Sequence, residues 1–289
     1  MVLRRALLIC SGLLAVWLAS VVQGSSPALG AGQQSVATGP ATRLVQITPE
    51  PANERRVPPG RACPPNTPGC LKTPGATTYA SFLEWVAKNV DRMYKREADA
   101  ADVPWTSPRY HLLSGGKTAR TGCASGGSEL VTADTGPFWC GLDRGGSIYL
   151  TMGWLKKEAF PSGSYRSKDF ALAYVVAHEW AHHAQYRLLF TDTFVSRLRS
   201  IHVELMADCL AGIWARSVYH QSLLEPGDFA EAVDFAMALG DYPGTRPESE
   251  GAHGTSKQRS EWLRRGYDSA SGASCRTWES KSLPPLLPP

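Results

Sequence analysis

The chain has 289 residues, of which 43% are hydrophobic, so it can hold one large folded domain or two small ones. The 30 Lys and Arg residues nearly balance the 26 Asp and Glu residues. This balance gives no reason to expect a nucleic-acid partner.

The N-terminus has the pattern of an export signal. A short basic segment is followed by an apolar run over residues 6–22 and by small residues. Residues 1–24 are predicted to be a signal peptide or, alternatively, an N-terminal anchor, since the run falls just short of the about 20 residues of a spanning helix. We expect an exported protein, extracellular or in the cell envelope. In the alternative, residues 6–22 anchor it to the outer face of the cytoplasmic membrane and associate it with the membrane.

Six cysteines remain outside the apolar run. An even number in an exported chain predicts disulfide bonds, although six cysteines allow fifteen full pairings. Free buried thiols are the alternative. Short loops favour Cys63 with Cys70 and Cys123 with Cys140, which leaves Cys209 with Cys275.

The composition divides the remaining chain into three parts. Residues 25–76 are rich in Pro, Gly and Ser and are predicted to be a flexible linker. Residues 77–278 are predicted to be one folded α+β domain, mostly helical, with a small strand region before the helix that carries the main motif. Residues 279–289 are rich in Pro and Leu and are predicted to be a disordered tail.

Within the domain, hydrophobic spacing predicts the elements. A helical stripe begins at Tyr79, with Thr77 or Thr78 as its cap. Gly and Ser then punctuate short strands, including residues 128–132 and 147–151. Further helices are predicted over residues 167–189, 192–219, 227–239 and 255–266.

The predicted helix over residues 167–189 contains the pattern His-Glu-x-x-His. His178 and His182 are four residues apart, so they share one helix face and can offer two ligands to one zinc ion. Glu179 lies beside the first ligand, where its carboxylate can take a proton from a metal-activated water. We therefore predict a zinc site with Glu179 as general base.

The next predicted helix offers the third ligand. Glu204 and Asp208 are also four residues apart and share a face. If the two helices pack antiparallel, Glu204 can complete a His2Glu zinc site of the peptidase type. Asp208 can then accept a hydrogen bond from the far nitrogen of a ligand histidine, which fixes its tautomer.

These motifs carry a family resemblance. Over about residues 77–278 the chain resembles the bacterial family of neutral zinc metallopeptidases, and the resemblance implies a zincin-like fold, a Zn²⁺ cofactor, and a protein or peptide substrate. The residue before His182, usually Gly in the family, is Ala181 here, and Ala is small and a better helix former. The matching pieces are residues 136–140, 148–150, 173–183, 204–212 and 253–259.

Other residues have less specific patterns. His253 is predicted either to stabilise the transition state or to cap the last helix. His183 points away from His182 and is predicted to make packing or polar contacts. Tyr174 is a candidate pocket residue, but an aromatic core position is the favoured prediction. The strand over residues 147–151 is predicted to be an edge strand that pairs with an extended substrate.

The prediction is thus a zinc-dependent peptidase, more specifically an endopeptidase, that hydrolyses peptide bonds. A non-catalytic binding module stabilised by zinc is the first alternative, although such a module would not need Glu179. A zinc amide hydrolase acting on cell-wall peptides is the second, and a membrane-anchored quality-control protease is the third.

Overall fold

The computed structural model describes residues 78–125, 128–159, 169–189 and 192–288. The predicted fold class is confirmed, because helices predominate and short strands precede the central helix. The N-terminal apolar run, the predicted linker, Cys63 and Cys70 lie outside the described residues. Among the helices that are described, none is both long and apolar enough to cross a membrane.

The first helix forms as the hydrophobic spacing predicts. It begins after Thr78, whose hydroxyl accepts from the backbone N–H of Ser81 in a capping box. Its apolar stripe, including Phe82, Val86 and Val90, is fully buried. Helix α1 spans Tyr79–Ala100.

The described strands are β1 Arg109–Leu113, β2 Ala119–Ser125, β3 Ser128–Val131, β4 Phe138–Cys140 and β5 Ser147–Thr151. They form a three-stranded sheet and a separate hairpin. In the sheet, β5 lies in the centre, parallel to β1 and antiparallel to β4. The hairpin consists of β2 and β3.

The prediction that residues 147–151 form an edge strand is therefore wrong. All five residues of β5 are buried, and strands flank it on both sides. The edge strands are β1 and β4, and β4 is only three residues long. A local sequence pattern does not reveal how many neighbours a strand has, because β1 comes from a distant part of the chain.

After α1, the described helices are α2 Met152–Ala159, α3 Asp169–Ala184, α4 Asp192–Val195, α5 Ser200–His220, α6 Asp228–Ala238 and α7 Ser256–Ser269. Helix α3 runs through the centre of the domain. Every one of its residues is buried, and it contacts α1, α5, α6 and β4. Its many Ala residues let these neighbours approach closely from several sides. A π-helical turn, Gln185–Leu189, follows α3, and two 3-10 turns, Gly272–Cys275 and Thr277–Glu279, follow α7.

The helix predicted over residues 192–219 is divided in the structure. The short α4 ends at Val195, and α5 begins only at Ser200, after an extended Arg199. The apolar spacing continues through this break, so periodicity alone does not detect it. After this break, α5 packs against α3 and carries Glu204 and Asp208.

The predicted disorder of residues 279–289 also differs from what the structure shows. Up to residue 288 this segment is described, and it lies against the start of α5. The backbone of Leu287 donates to the Arg197 carbonyl at 2.8 Å, and the Arg199 guanidinium donates to the Pro285 carbonyl at 2.8 Å. Hydrogen bonds that involve backbone groups hold the segment in place, and amino-acid composition does not predict such bonds.

Helices α5 and α7 pack with their backbones in contact. A Cβ atom at Gly212 would lie 2.1 Å from the Leu263 carbonyl oxygen, and one at Gly266 would lie 1.8 Å from that of Cys209. Only glycine permits this approach. The close packing brings the side chains of α7 within reach of the buried face of α5.

Two of the predicted disulfides are confirmed. Cys123 on β2 is joined to Cys140 on β4, and Cys209 on α5 is joined to Cys275. The first bond ties the hairpin to the sheet edge, and the second holds the segment after α7 against α5. Both fit an oxidising environment.

The two disulfides close loops of different length, which predicts different contributions to stability. Replacing Cys209 and Cys275 by Ala should lower the free energy of unfolding by about 4 kcal/mol, because a long loop constrains the unfolded chain more. The matched Cys123→Ala, Cys140→Ala variant should lose about 1 kcal/mol less. Urea denaturation of both variants measures the difference, and a larger loss for the shorter loop would contradict the expectation.

Candidate active site

Helices α3 and α5 bring the predicted zinc ligands together. His178, His182 and Glu204 are buried, and their potential ligand atoms lie within 4.8 Å of one another. Contacts run in opposite order along the two helices, since His178 meets Asp208 while Gln185 meets Val203. The helices are therefore antiparallel, which is the packing that the sequence argument required.

The distances among these atoms fit a tetrahedral ion. The Nε2 atoms of His178 and His182 are 3.1 Å apart, and His178 Nε2 is 3.2 Å from a Glu204 oxygen. His182 Nε2 is 3.6 Å from the other Glu204 oxygen. Ligand atoms at the usual zinc distances would be about 3.3 Å apart in a tetrahedron. The donor set, two imidazoles and one carboxylate, also suits zinc.

Asp208 orients the first histidine. Its carboxylate lies 2.9 Å from His178 Nδ1 and is completely buried. A carboxylate only accepts, so His178 carries a proton on Nδ1 and directs Nε2 towards the other ligands. Burial lowers the pKa of His178, but hydrogen bonds with Asp208 and Glu204 outweigh this effect and raise that pKa to about 9.

Two further side chains hold Asp208, and neither is assigned this role by the sequence. Arg259 on α7 donates to both carboxylate oxygens at 2.9 Å, and the Tyr174 hydroxyl donates to one of them. Burial opposes ionisation of Asp208, but the charge of Arg259 keeps the pKa of Asp208 well below its usual range. The sequence favours a core position for Tyr174. Its side chain is indeed buried, and its hydroxyl also takes part in the hydrogen bonds around Asp208.

Glu179 is buried next to His178 in α3. It is 2% exposed and accepts a hydrogen bond from the backbone N–H of Trp139 on β4. Burial raises the pKa of Glu179 to about 7. Within the described part of the chain, its Oε2 atom has no hydrogen-bond partner. The site therefore contains a buried carboxylate oxygen that is available to accept a proton.

His253 lies beside the site and does not cap the last helix. The cap of α7 is Thr255, in the predicted capping box with Gln258. His253 Nδ1 is 3.5 Å from Asp241, which also accepts from the backbone N–H of His253. Burial lowers the pKa of His253, but the charge of Glu204 opposes this effect and the net shift is upward.

The residues of the site border a cleft of about 560 Å³. His178, Glu179 and His253 line it together with residues of the β2–β3 hairpin and of β4. Most of the remaining surface is apolar. Its apolar lining includes Val131, Pro137, Phe138, Trp154, Val175 and Leu239.

His183 makes the packing and polar contacts that the sequence predicts. Its Nδ1 accepts from the indole N–H of Trp139 at 3.2 Å, and its Nε2 donates to the Thr106 carbonyl at 2.7 Å. Burial lowers the pKa of His183 to about 4, so the ring is neutral. His183 and Glu179 thus hold the same residue of β4 from one helix.

The comparisons with known proteins agree with this geometry. Residues 74–278 match the family described as "Putative neutral zinc metallopeptidase". The chain belongs to this family.

Among curated proteins, the chain is 32% identical to "Uncharacterized protein YpfJ" of Escherichia coli K12, over 71% of this chain and 74% of that protein. It is 31% identical to "Uncharacterized protein Mb2605" of Mycobacterium bovis, over 62% of this chain and 65% of that protein. No solved structure gives a significant match.

The network around Asp208 predicts that Arg259 is important for stability. Arg259→Leu should lower the free energy of unfolding by about 3–5 kcal/mol, because it leaves a buried carboxylate without its countercharge. The control is Arg264→Leu, on the exposed side of the same helix, which should change it by no more than about 0.5 kcal/mol. Urea denaturation measures both, and equal effects would rule out this role for Arg259.

Proposed function

We propose that this chain is a zinc-dependent endopeptidase that hydrolyses peptide bonds, with its catalytic domain over residues 77–278. One observation carries the proposal. The convergence of His178, His182 and Glu204 at zinc-like separations is accompanied by a buried Glu179 oxygen without a partner. Family membership supports the same class of chemistry.

In this proposal, His178, His182 and Glu204 hold the ion and Glu179 transfers protons. Zinc, when bound, supplies a Lewis acid that polarises a carbonyl and acidifies water. Glu179 accepts a proton from the attacking water and delivers it to the leaving amine. Burial raises the pKa of Glu179 to about 7, which suits a group that must both accept and release a proton near neutral pH.

His253 stabilises the charge that develops on the carbonyl oxygen of the substrate. His253 lines the same cleft as Glu179. Asp241 accepts from the backbone N–H groups of His253 and Gly254 at 2.9 and 2.8 Å and faces the imidazole. A donor held in a fixed place costs little reorganisation during the reaction.

Of the two edge strands, β4 is the one that lines the cleft, and it pairs with an extended substrate backbone. This role moves from β5, where the sequence predicts it, because β5 already has a strand on each side. Phe138 of β4 and the preceding Gly136 and Pro137 line the cleft. Extended peptides bind readily to such an edge, since backbone hydrogen bonds align them.

The lining of the cleft favours internal bonds over those beside a C-terminal carboxylate. Arg259 is the one Lys or Arg among the described lining residues, and its side chain is only 4% exposed. Four of its five N–H donors are engaged with Asp208, the Tyr174 hydroxyl and the Leu239 carbonyl. Its charge is paired with Asp208 and it can offer a terminal carboxylate at most one N–H, which is a poor site for that group.

The proposal is tested with Glu179→Gln, which keeps the shape of the side chain and removes the base. Peptide cleavage should fall about 10²–10⁴-fold, while zinc content, measured by atomic absorption, stays the same. The matched control is Glu261→Gln, a surface residue on α7 whose side chain is 59% exposed, which should leave both unchanged.

Two outcomes would contradict this proposal. Zinc binding with equal, negligible turnover in the natural chain and in Glu179→Gln would favour a zinc-stabilised binding module. Cleavage of cell-wall peptide cross-links but of no protein would favour the other amide hydrolase. Peptides with blocked termini distinguish endopeptidase from exopeptidase activity. An endopeptidase should cleave them as well as it cleaves peptides with free termini.

The apolar lining of the cleft predicts a preference for substrates with large apolar side chains beside the cleaved bond. Leu239→Lys should lower kcat/KM for such peptides about tenfold or more, since it places a charge in the apolar part of the cleft. The control is Met237→Lys on the same helix, 43% exposed and outside the cleft lining. Competing peptides that differ at one position measure the preference, and equal losses in both variants would contradict it.

Export is part of the proposal. The two disulfides fit an oxidising compartment, and residues 1–24 have the pattern of a signal peptide or an anchor. We propose a linker over residues 25–76 between that segment and the catalytic domain.

A further inference from the structure

We propose that Gln185 is a positioning residue that holds His182 in the metal-binding tautomer and ties α3 to the ligand-bearing start of α5. The inference rests on the proposed zinc function and extends it to a residue outside the predicted site.

Gln185 makes two hydrogen bonds in the buried region between the helices. Its Oε1 lies 3.1 Å from His182 Nδ1, and its Nε2 donates to the Val203 carbonyl oxygen at 2.7 Å. The residue is 1% exposed. A buried amide with both ends engaged is fixed in one orientation.

The direction of these bonds follows from the Val203 carbonyl. A carbonyl oxygen only accepts, so the NH2 group of Gln185 faces Val203 and its oxygen faces His182. An amide oxygen also only accepts, so His182 carries its proton on Nδ1. The lone pair of His182 Nε2 is then directed towards His178 Nε2 and Glu204, at 3.1 and 3.6 Å. One backbone carbonyl thus sets the tautomer of a ligand.

The local helix geometry places Gln185 correctly. It follows His182 by three residues, a spacing at which side chains are neighbours on a helix. The α-helix ends at Ala184, and a π-helical turn begins at Gln185. Such turns are rare and often occur at functional sites.

The second hydrogen bond reaches the neighbouring ligand. Val203 precedes Glu204, so the bond from Gln185 fixes the α5 backbone immediately before the third ligand. Gln185 therefore controls both the orientation of His182 and its placement relative to Glu204.

The choice of an amide has an electrostatic reason. Asp208 orients His178 with a carboxylate whose charge Arg259 balances. No described Lys or Arg side chain forms an ion pair with Glu179 or Glu204. A second buried carboxylate beside His182 would add negative charge without a countercharge, whereas Gln185 supplies an acceptor that is neutral.

The test compares zinc affinity in two variants that each lose a buried amide. Gln185→Met has a similar size and no hydrogen bonds. The control is Asn89→Leu, which removes a buried amide that accepts from the Trp214 indole, ten residues after Glu204 on α5. Zinc dissociation constants come from competition with a chromophoric chelator, and stability comes from urea denaturation of the same samples.

We expect both variants to lose stability, but only Gln185→Met to bind zinc about 10–100-fold more weakly. Equal zinc affinity in Gln185→Met and the natural chain would overturn this inference and leave the zinc proposal intact. A natural chain that binds no zinc would overturn both.

If Gln185→Met does not fold, a measurement on the natural chain tests the inference instead. Nitrogen-15 NMR of the zinc-loaded protein should show His182 protonated on Nδ1 and bound to the metal through Nε2. The opposite tautomer would overturn the inference, because Gln185 Oε1 would then have no proton to accept.

Discussion

The buried carboxylate of Asp208 lies where α3, α5 and α7 meet. It accepts hydrogen bonds from two side chains of α3, His178 and Tyr174, and from one side chain of α7, Arg259. A buried charge is costly unless it is paired and hydrogen-bonded, and this one is both. The same contacts that satisfy Asp208 direct His178 Nε2 towards Glu204. Satisfying this charge and building the candidate metal site are therefore one structural requirement.

The packing of α7 on α5 makes the network possible. Arg259 lies 51 residues after Asp208 in the chain, and it reaches the carboxylate because Gly212 and Gly266 let the two backbones touch. The Cys209–Cys275 disulfide fastens the segment that follows α7 to α5. The ion pair thus depends on glycine positions and a disulfide that have no polar role of their own.

The charge in the centre of the domain favours a divalent cation. The carboxylates of Glu179, Glu204 and Asp208 are buried close to one guanidinium, that of Arg259. Burial opposes ionisation of Glu204, but the neighbouring imidazoles, including the His178 ring that lies 3.2 Å from it, keep the pKa of Glu204 below its usual range. An ion bound by His178, His182 and Glu204 would balance this negative charge.

The sequence by itself determined the elements whose information is local. Spacing of four residues put His178 with His182, and Glu204 with Asp208, because one helical turn brings such residues together. Only the tertiary structure decided which strand lies on the edge, and that Arg259, Tyr174, Gln185 and Asp241 join the site. Those contacts connect residues on different elements or depend on a π-helical turn, and neither strand neighbours nor helix crossings leave a periodic signal in the chain.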